Sequence, residues 1–423
     1  MKSFALGLIL LLGFCFVFFL IPRIPVVKAM MATNVTYYIR SNGNIEPQPA
    51  PISTSDNVTY TFATGWLYGG NQSAIVVERS NIIIDGKRLT LQGSGNGIGL
   101  CIGGVSNGVT NVTVENIEVK EFQMGIWVGS SSDISIVENK ITGNSMWGMW
   151  VYSSSKNNIA GNNITENGYG VTADHGGIGL SGCSYHTIFG NNITANNGDG
   201  VALHFSSNNT LIGNSLVANG VWVWPSSDNV LDGGYPYGGN YWGDPADVDY
   251  FSGPYQNETG SDGICDKPHG FDAKNTDRYP LMAPLSVFYA GTWDGKSYSV
   301  DVASNSTISG FYFNPDEGAF IRFNVTGESG TAGFCRVTIP KSLLWVEDGW
   351  AILVGGEPIT NYTIIPDENC TYLYFTYSHS MKTVKIQGTH VIPEFPSGTI
   401  PSLLMIPTLL AVIVYRRKRI VNK

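Results

Sequence analysis

Aromatic and imidazole side chains recur at a fixed spacing in the middle of this sequence. Five stretches open with glycine and continue with alternating apolar residues: Gly125-Ile126-Trp127-Val128, Gly148-Met149-Trp150-Val151, Gly177-Ile178-Gly179-Leu180, Gly200-Val201-Ala202-Leu203 and Gly220-Val221-Trp222-Val223. Two residues after each glycine stand Trp127, Trp150, Gly179, Ala202 and Trp222; four after it stand Gly129, Tyr152, Ser181, His204 and Trp224. Trp and Tyr rings stack on the CH faces of sugars, and carboxylate and imidazole groups supply the polar contacts. Trp127, Trp150, Tyr152, Trp222 and Trp224, with Asp174, His175 and His204, are therefore candidate glycan-binding residues. They form this surface only if the stretches stack as strands with these positions facing outward.

The asparagines fix that stacking. Asn116, Asn139, Asn162, Asn191 and Asn214 follow one another at 23, 23, 29 and 23 residues, and Asn144, Asn167, Asn196 and Asn219 lie five residues after the last four. Between them run short period-two strands, with no apolar period of 3.6 residues. A unit of ~23 residues is one coil of a parallel β-helix rather than a propeller blade. Like residues then stack ~4.8 Å apart, with Ile, Val and Leu inward and asparagine amides laddered at the bends. A β-sandwich is the alternative for this region, but it requires no fixed period.

In the β-helix the small residues Gly179 and Ala202 interrupt the aromatic column for two coils, a gap of ~10 Å. The long coil carries Tyr169, Asp174 and His175 beside it. If Gly170 rather than Gly177 starts that strand, Asp174 stacks beside His204. The stripe serves equally well as a surface covered by the C-terminal region or by a neighbouring molecule. A hydrolase needs two carboxylates at a defined separation; this face offers Asp174, with Asp199 one coil on, and no recurring pair.

Around the repeat, residues 1–32 read as a signal peptide, with an apolar run at 4–21 and small residues at Ala29 or Ala32 for cleavage. Residues 33–79 form an N-terminal cap, 80–234 the coils and 235–283 an irregular far cap. Residues 284–390 alternate without the 23-residue period and predict a β-sandwich. A linker at 391–399 leads to an apolar span at 400–415 and a basic tail at 416–423, which places the body outside the cell with the tail cytoplasmic. The fold class is all-β: a right-handed parallel β-helix of about six coils, a smaller β-sandwich, and a C-terminal transmembrane helix.

Composition narrows the partners. The 423 residues carry a net charge of −9, with 13% charged, 12% aromatic and 51 glycines. Eight of the 24 bases lie in the two ends and all 33 acids between them, so the body holds 16 bases and a charge of −17. The aromatic content excludes a disordered chain, and the lack of a basic face excludes a nucleic-acid partner. Twelve Asn-x-Ser/Thr sequons suit an exported glycoprotein. Of the five cysteines beyond the leader, Cys335 and Cys370 share one region and are the candidate disulfide. The segment Asp262-Gly263-Ile264-Cys265-Asp266 resembles the end of a calcium loop, with its earlier acidic positions degraded; Asp247, Asp249, Asp262 and Asp266 are the candidate Ca²⁺ ligands. Copper is not expected, since no His-x-His or Met-rich cluster occurs.

The segments "SNIIIDGKRLTLQG" and "GGNYWGD…DGICDKPHGFDAKNTDRYPLMAP" resemble the NosD-type right-handed parallel β-helix proteins of archaea over residues 35–283. The motif Pro393-Glu394-Phe395-Pro396, followed by an apolar span and basic tail, resembles the PEF-type sorting signal of archaeal surface proteins. The resemblance implies an archaeal exported protein whose tail is processed by a membrane sortase. It also implies copper handling for a minority of members, and sugar lyases and hydrolases among the related proteins. The function expected is a cell-surface protein binding glycans or surface-layer proteins, with a carbohydrate-active enzyme as the alternative.

Overall fold

The computed structural model describes residues 31–169, 175–223 and 228–392, with the side chains of residues 220–223 excepted. The signal run, Asp174, Trp224, the motif Pro393 to Pro396 and the apolar span at 400–415 lie outside these residues. Among the described residues no helix is long and apolar enough to cross a membrane. The only helix among them is a single 3₁₀ turn, Pro315–Glu317; the rest is strand and turn.

The 23-residue period becomes one coil of three short strands. The first strands stack as Ser132–Val137, Asn158–Ala160, Thr187–Phe189 and Thr210–Ile212, and the second as Lys140–Thr142, Asn163–Thr165 and Asn192–Thr194. The third strands stack as Met124–Gly129, Trp147–Tyr152, Ile178–Ser181, Asp199–His204 and Gly220–Val223. All pair in parallel, so identical positions lie above one another. The third stack extends further, through Ile98–Gly103, Ser73–Val77 and Tyr37–Ile39. The segment read as a leader cap thus supplies stacked strands of its own. The period is hidden there because the bends lack laddered asparagine. Met31–Thr33 pairs with Trp66–Tyr68, a strand that cleavage after Ala29 retains and cleavage after Ala32 cuts.

The bends follow one local rule. A residue in the left-handed region is followed by an inward polar residue: Glu138 then Asn139, Glu166 then Asn167, Ser153 then Ser154, Tyr185 then His186. A left-handed conformation costs a non-glycine residue roughly 1–2 kcal/mol, so the inward partner must recover it. It does so by stacking. The Asn139 N–H donates to Asn162 Oδ1 at 2.9 Å, Asn162 to Asn191 at 2.9 Å, and Asn191 to Asn214 at 3.0 Å. Asn214 donates to Asn240, and the Asn240 N–H ends on the buried carboxyl of Asp277 at 2.7 Å. A second ladder runs Asn144, Asn167, Asn196, Asn219. A third runs Asn157, His186, Asn209, Asn229, Asn275. Between the ladders the interior is apolar, from Ile126, Val128, Ile141 and Met149 to Leu203 and Leu211.

The chain then builds two antiparallel five-stranded sheets. The first orders as Leu285–Trp293, Lys296–Ser304, Ala332–Pro340, Cys370–Ser378 and Tyr362–Pro366. The second contains Thr307–Phe313, Phe320–Thr326, Lys382–Gln387, Ala351–Val354 and Glu357–Ile359. Alternate residues of both, including Val300, Val337, Phe375, Ile321, Phe323 and Val384, share one core. The other face of the first sheet rests on the far cap of the coils. Arg336, only 2% exposed, crosses that boundary: its Nε donates to the Asp262 carbonyl at 3.0 Å, its Nη2 to the Pro236 carbonyl, and its guanidinium lies over Tyr372.

Cys335 and Cys370 form no disulfide; both thiols are free. On paired strands Cys335 faces Phe375 while Cys370 faces Pro340. Five ladder positions separate them, ~17 Å at ~3.4 Å per residue, far beyond bridging distance. Cys335 is instead a core residue beside Tyr377 and Ser304.

Candidate functional site

The outward column of the third stack follows the Gly177 register. Cys101, Trp127, Trp150, Gly179, Ala202 and Trp222 are consecutive backbone partners, as are Gly129, Tyr152, Ser181 and His204. Neighbours on each strand, Ile126 and Val128 or Met149 and Val151, point inward and are fully buried. Strand alternation therefore turns Trp127 and Trp150 outward, where both are half-buried, and Tyr152 is 39% exposed.

The expected gap beside these tryptophans is filled. A β-carbon added to Gly179 would sit 2.3 Å from Trp150 Cε3, so the Trp150 ring lies over Gly179. Ala202 is fully buried. An indole is wider than one coil spacing and leans onto the small residue of the next coil. Trp127 lies over Gly129, two residues further along its own strand. Rings continue from Trp150 to His204 at 6.0 Å, to Trp147 at 5.2 Å, and from Trp147 to His175 at 5.8 Å. The result is an interlocked aromatic shelf rather than a cleft. It brings together Trp127, Trp150, Tyr152, His175 and His204; Trp222 joins the column through its backbone pairing with Ala202.

Trp147 was missed by sequence reasoning. It precedes the glycine that sets the numbering, at the position Met124 and Ile98 occupy in earlier coils. A large aromatic at an otherwise aliphatic position was the available signal. It is 3% exposed and buttresses Trp150 from behind.

The acids of the far cap are engaged with the backbone. Asp249 accepts from the N–H groups of Asp262 and Gly263 at 3.1 and 2.8 Å, and Asp266 from those of Tyr250 and Phe251. Asp262 accepts from Ile264 N–H, and Asp247 lies 3.4 Å from Cys265 Sγ. Burial pushes Asp249 up to about 7 despite its two N–H donors, and raises Asp262 despite Arg336. Among the described residues no group of three or more His, Cys, Asp or Glu side chains is arranged to hold a metal ion.

The one stacked acid pair of interest lies on another sheet. Asp85 and Glu115 are register partners on adjacent coils. Burial, Asp85 and Glu138 raise Glu115. Burial also opposes ionisation of Asp85, but the Lys87 ammonium, 2.5 Å away, outweighs it and holds Asp85 low.

The fold and the laddered bends define the class: this is a parallel β-helix protein. Residues 70–234 match the family model described as the right handed beta helix region. No curated protein matches the sequence. Among solved structures, the chain is similar to the mannuronan C-5 epimerase AlgE6 A-module of Azotobacter vinelandii, at 20% identity and a TM-score of 0.29, over 41% of this chain and 48% of that one. It is also similar to the enzymatically active domain of bacteriophage CBA120 tailspike protein 2, at 10% identity and a TM-score of 0.34, over 77% of this chain and 65% of that one. The chain spans about half the length of the epimerase module.

Proposed function

We propose that this protein binds glycans through the aromatic shelf of its third stack, displayed on the outer surface of a cell. The observation that carries this reading is the in-register pair Trp127 and Trp150, with Tyr152 beside them at the edge. An exposed ring next to half-buried, rigidly buttressed indoles offers flat apolar area with little entropy left to lose. His204 and His175 border the shelf with polar atoms. A surface location follows from the two apolar ends and the −17 body between them. Affinity electrophoresis of the full-length protein in gels containing polysaccharide tests it: Trp127→Ala and Tyr152→Ala each weaken retention about tenfold, the equivalent of ~1.4 kcal/mol. Unchanged retention overturns the shelf.

A carbohydrate-active enzyme is the second reading, favoured by Asp85 and Glu115. Neighbouring carboxyl groups driven apart in acidity are the pattern of an acid and base pair. Release of new reducing ends from polysaccharide, lost in Glu115→Gln, supports it; no release removes it.

A further inference from the structure

A groove runs where the first antiparallel sheet meets the coils. Its largest cavity, 810 Å³, has Asn158 and Phe189 of the coils on one wall and Tyr289, Ser297 and Ser299 of the sheet on the other. It shares Glu138 and Gly161 with a 450 Å³ cavity that reaches Arg88, and Phe189 with a 440 Å³ cavity that reaches Thr210. The three therefore adjoin one another along the coils. From Arg88 to Thr210 the groove crosses five coil steps, ~24 Å at ~4.8 Å each. Small-molecule pockets are single hollows of roughly 300–1,000 Å³; this one has the form of a channel for a chain.

Its lining alternates ring faces with hydrogen-bonding groups. Phe189 is half-buried and Tyr289 is 67% exposed, on opposing walls. Charges gather only at the Arg88 end. There Lys140 pairs with Glu118 at 2.7 Å, while Arg88 and Glu138 make no ion pair among the described residues. A second observation points to a ligand. Asp301 lies two residues beyond Ser299 and opposite Val287, both of which line the groove, so alternation turns its carboxyl to the same side. Its Oδ1 is buried with no hydrogen-bond partner, while the carboxyl group also interacts with the Ser299 hydroxyl. A buried acceptor of this kind costs roughly 1–3 kcal/mol unless a donor reaches it, and a hydroxyl or a water carried in from the groove is such a donor.

We propose that this groove binds a neutral oligosaccharide along the coil axis, its rings against Phe189 and Tyr289 and its hydroxyls on Asn158, Ser297, Ser299 and Glu138. An acidic chain is disfavoured by the −17 body and by Glu138 within the groove, against a single unpaired Arg88. The site is separate from the Trp127 shelf and does not depend on it. Calorimetry on the full-length protein with cello-, xylo- and manno-oligosaccharides, and with oligogalacturonate as the acidic comparison, tests it. At least one neutral probe binds; Tyr289→Ala, on an exposed ring, weakens it about tenfold, while Tyr255→Ala, an exposed ring on the far cap, leaves that binding unchanged. Binding by no neutral probe, indifference to Tyr289→Ala, or tighter binding of oligogalacturonate overturns the assignment. Loss in Tyr152→Ala alone leaves the shelf standing and removes the groove; loss in Tyr289→Ala alone does the reverse.

Discussion

The coils and the antiparallel sheets bury their interiors in different ways. The sheets close over an apolar core, and their few buried polar groups, such as Arg336 and His379, are individual contacts. From Asn139 onward the coils bury polar columns at their bends: Asn139, Asn162, Asn191, Asn214 and Asn240 are each 0–2% exposed. A sheet residue answers to neighbours scattered through the sequence, whereas a ladder residue answers to its equivalent one coil away. Polar burial is stable here because Asn162, Asn191 and Asn214 each have an identical amide above and below, and the ladder ends on the Asp277 carboxyl.

Two adjacent asparagines separate ladder burial from surface display most clearly. Asn191 accepts from the Asn162 N–H and amide and donates to Ile159 and Asn214, whereas Asn192 next to it is exposed. Asn191→Ala leaves several buried groups unpaired and costs about 4 kcal/mol, at ~1–3 kcal/mol for each group. Asn192→Ala stays within about 0.5 kcal/mol, as surface changes do. Denaturant titration reads both. The boundary between the regions comes next. Arg336→Ala strips the Asp262 and Pro236 carbonyls of their donor and costs about 3 kcal/mol. Limited proteolysis shows it as earlier cleavage between the far cap and the first sheet.

One ladder position can be repaired, with a smaller effect. His186 replaces asparagine in the third ladder. Its Nδ1 accepts the Asn157 N–H at 2.9 Å, and one lone pair cannot also take the Asn157 amide. Asn157 Nδ2 and His186 Nε2 are accordingly buried without partners. His186→Asn restores the acceptor and stabilises by about 1 kcal/mol. Burial also lowers His186 to about 4. Because its folded value lies below the ordinary 6.5, wild-type stability is lost as pH falls from 6.5 through 4. Asp249 and Asp277, raised to about 7 chiefly by burial, act in the opposite sense: their contribution is full below about 4 and is lost as pH rises through 7. With two acids losing stability against one imidazole gaining it, melting temperatures fall as pH rises from 4 to 7, and His186→Asn makes that fall steeper.

The coils were legible because stacking forces equivalent residues to repeat. The spacing of Asn139 to Asn214 gave the period, the bends and the outward column bearing Trp127 and Trp150. Three things were not legible. Local spacing cannot say how far an indole leans, so Trp150 covering Gly179 was read as a gap. Pairing register between distant strands is set by folding, which is why Cys335 and Cys370 looked bridgeable. The groove of Phe189 and Tyr289 exists only once the first sheet docks on the coils, and no periodic signal marks that contact.

The glycan-binding role proposed for the aromatic column rests on Trp127, Trp150 and Tyr152. Affinity electrophoresis of wild type, Trp127→Ala and Tyr152→Ala against a polysaccharide panel tests it most directly. Slowed migration of the wild type in at least one gel, released by about tenfold in either variant, is the predicted result. Equal migration of all three proteins in every gel would contradict it.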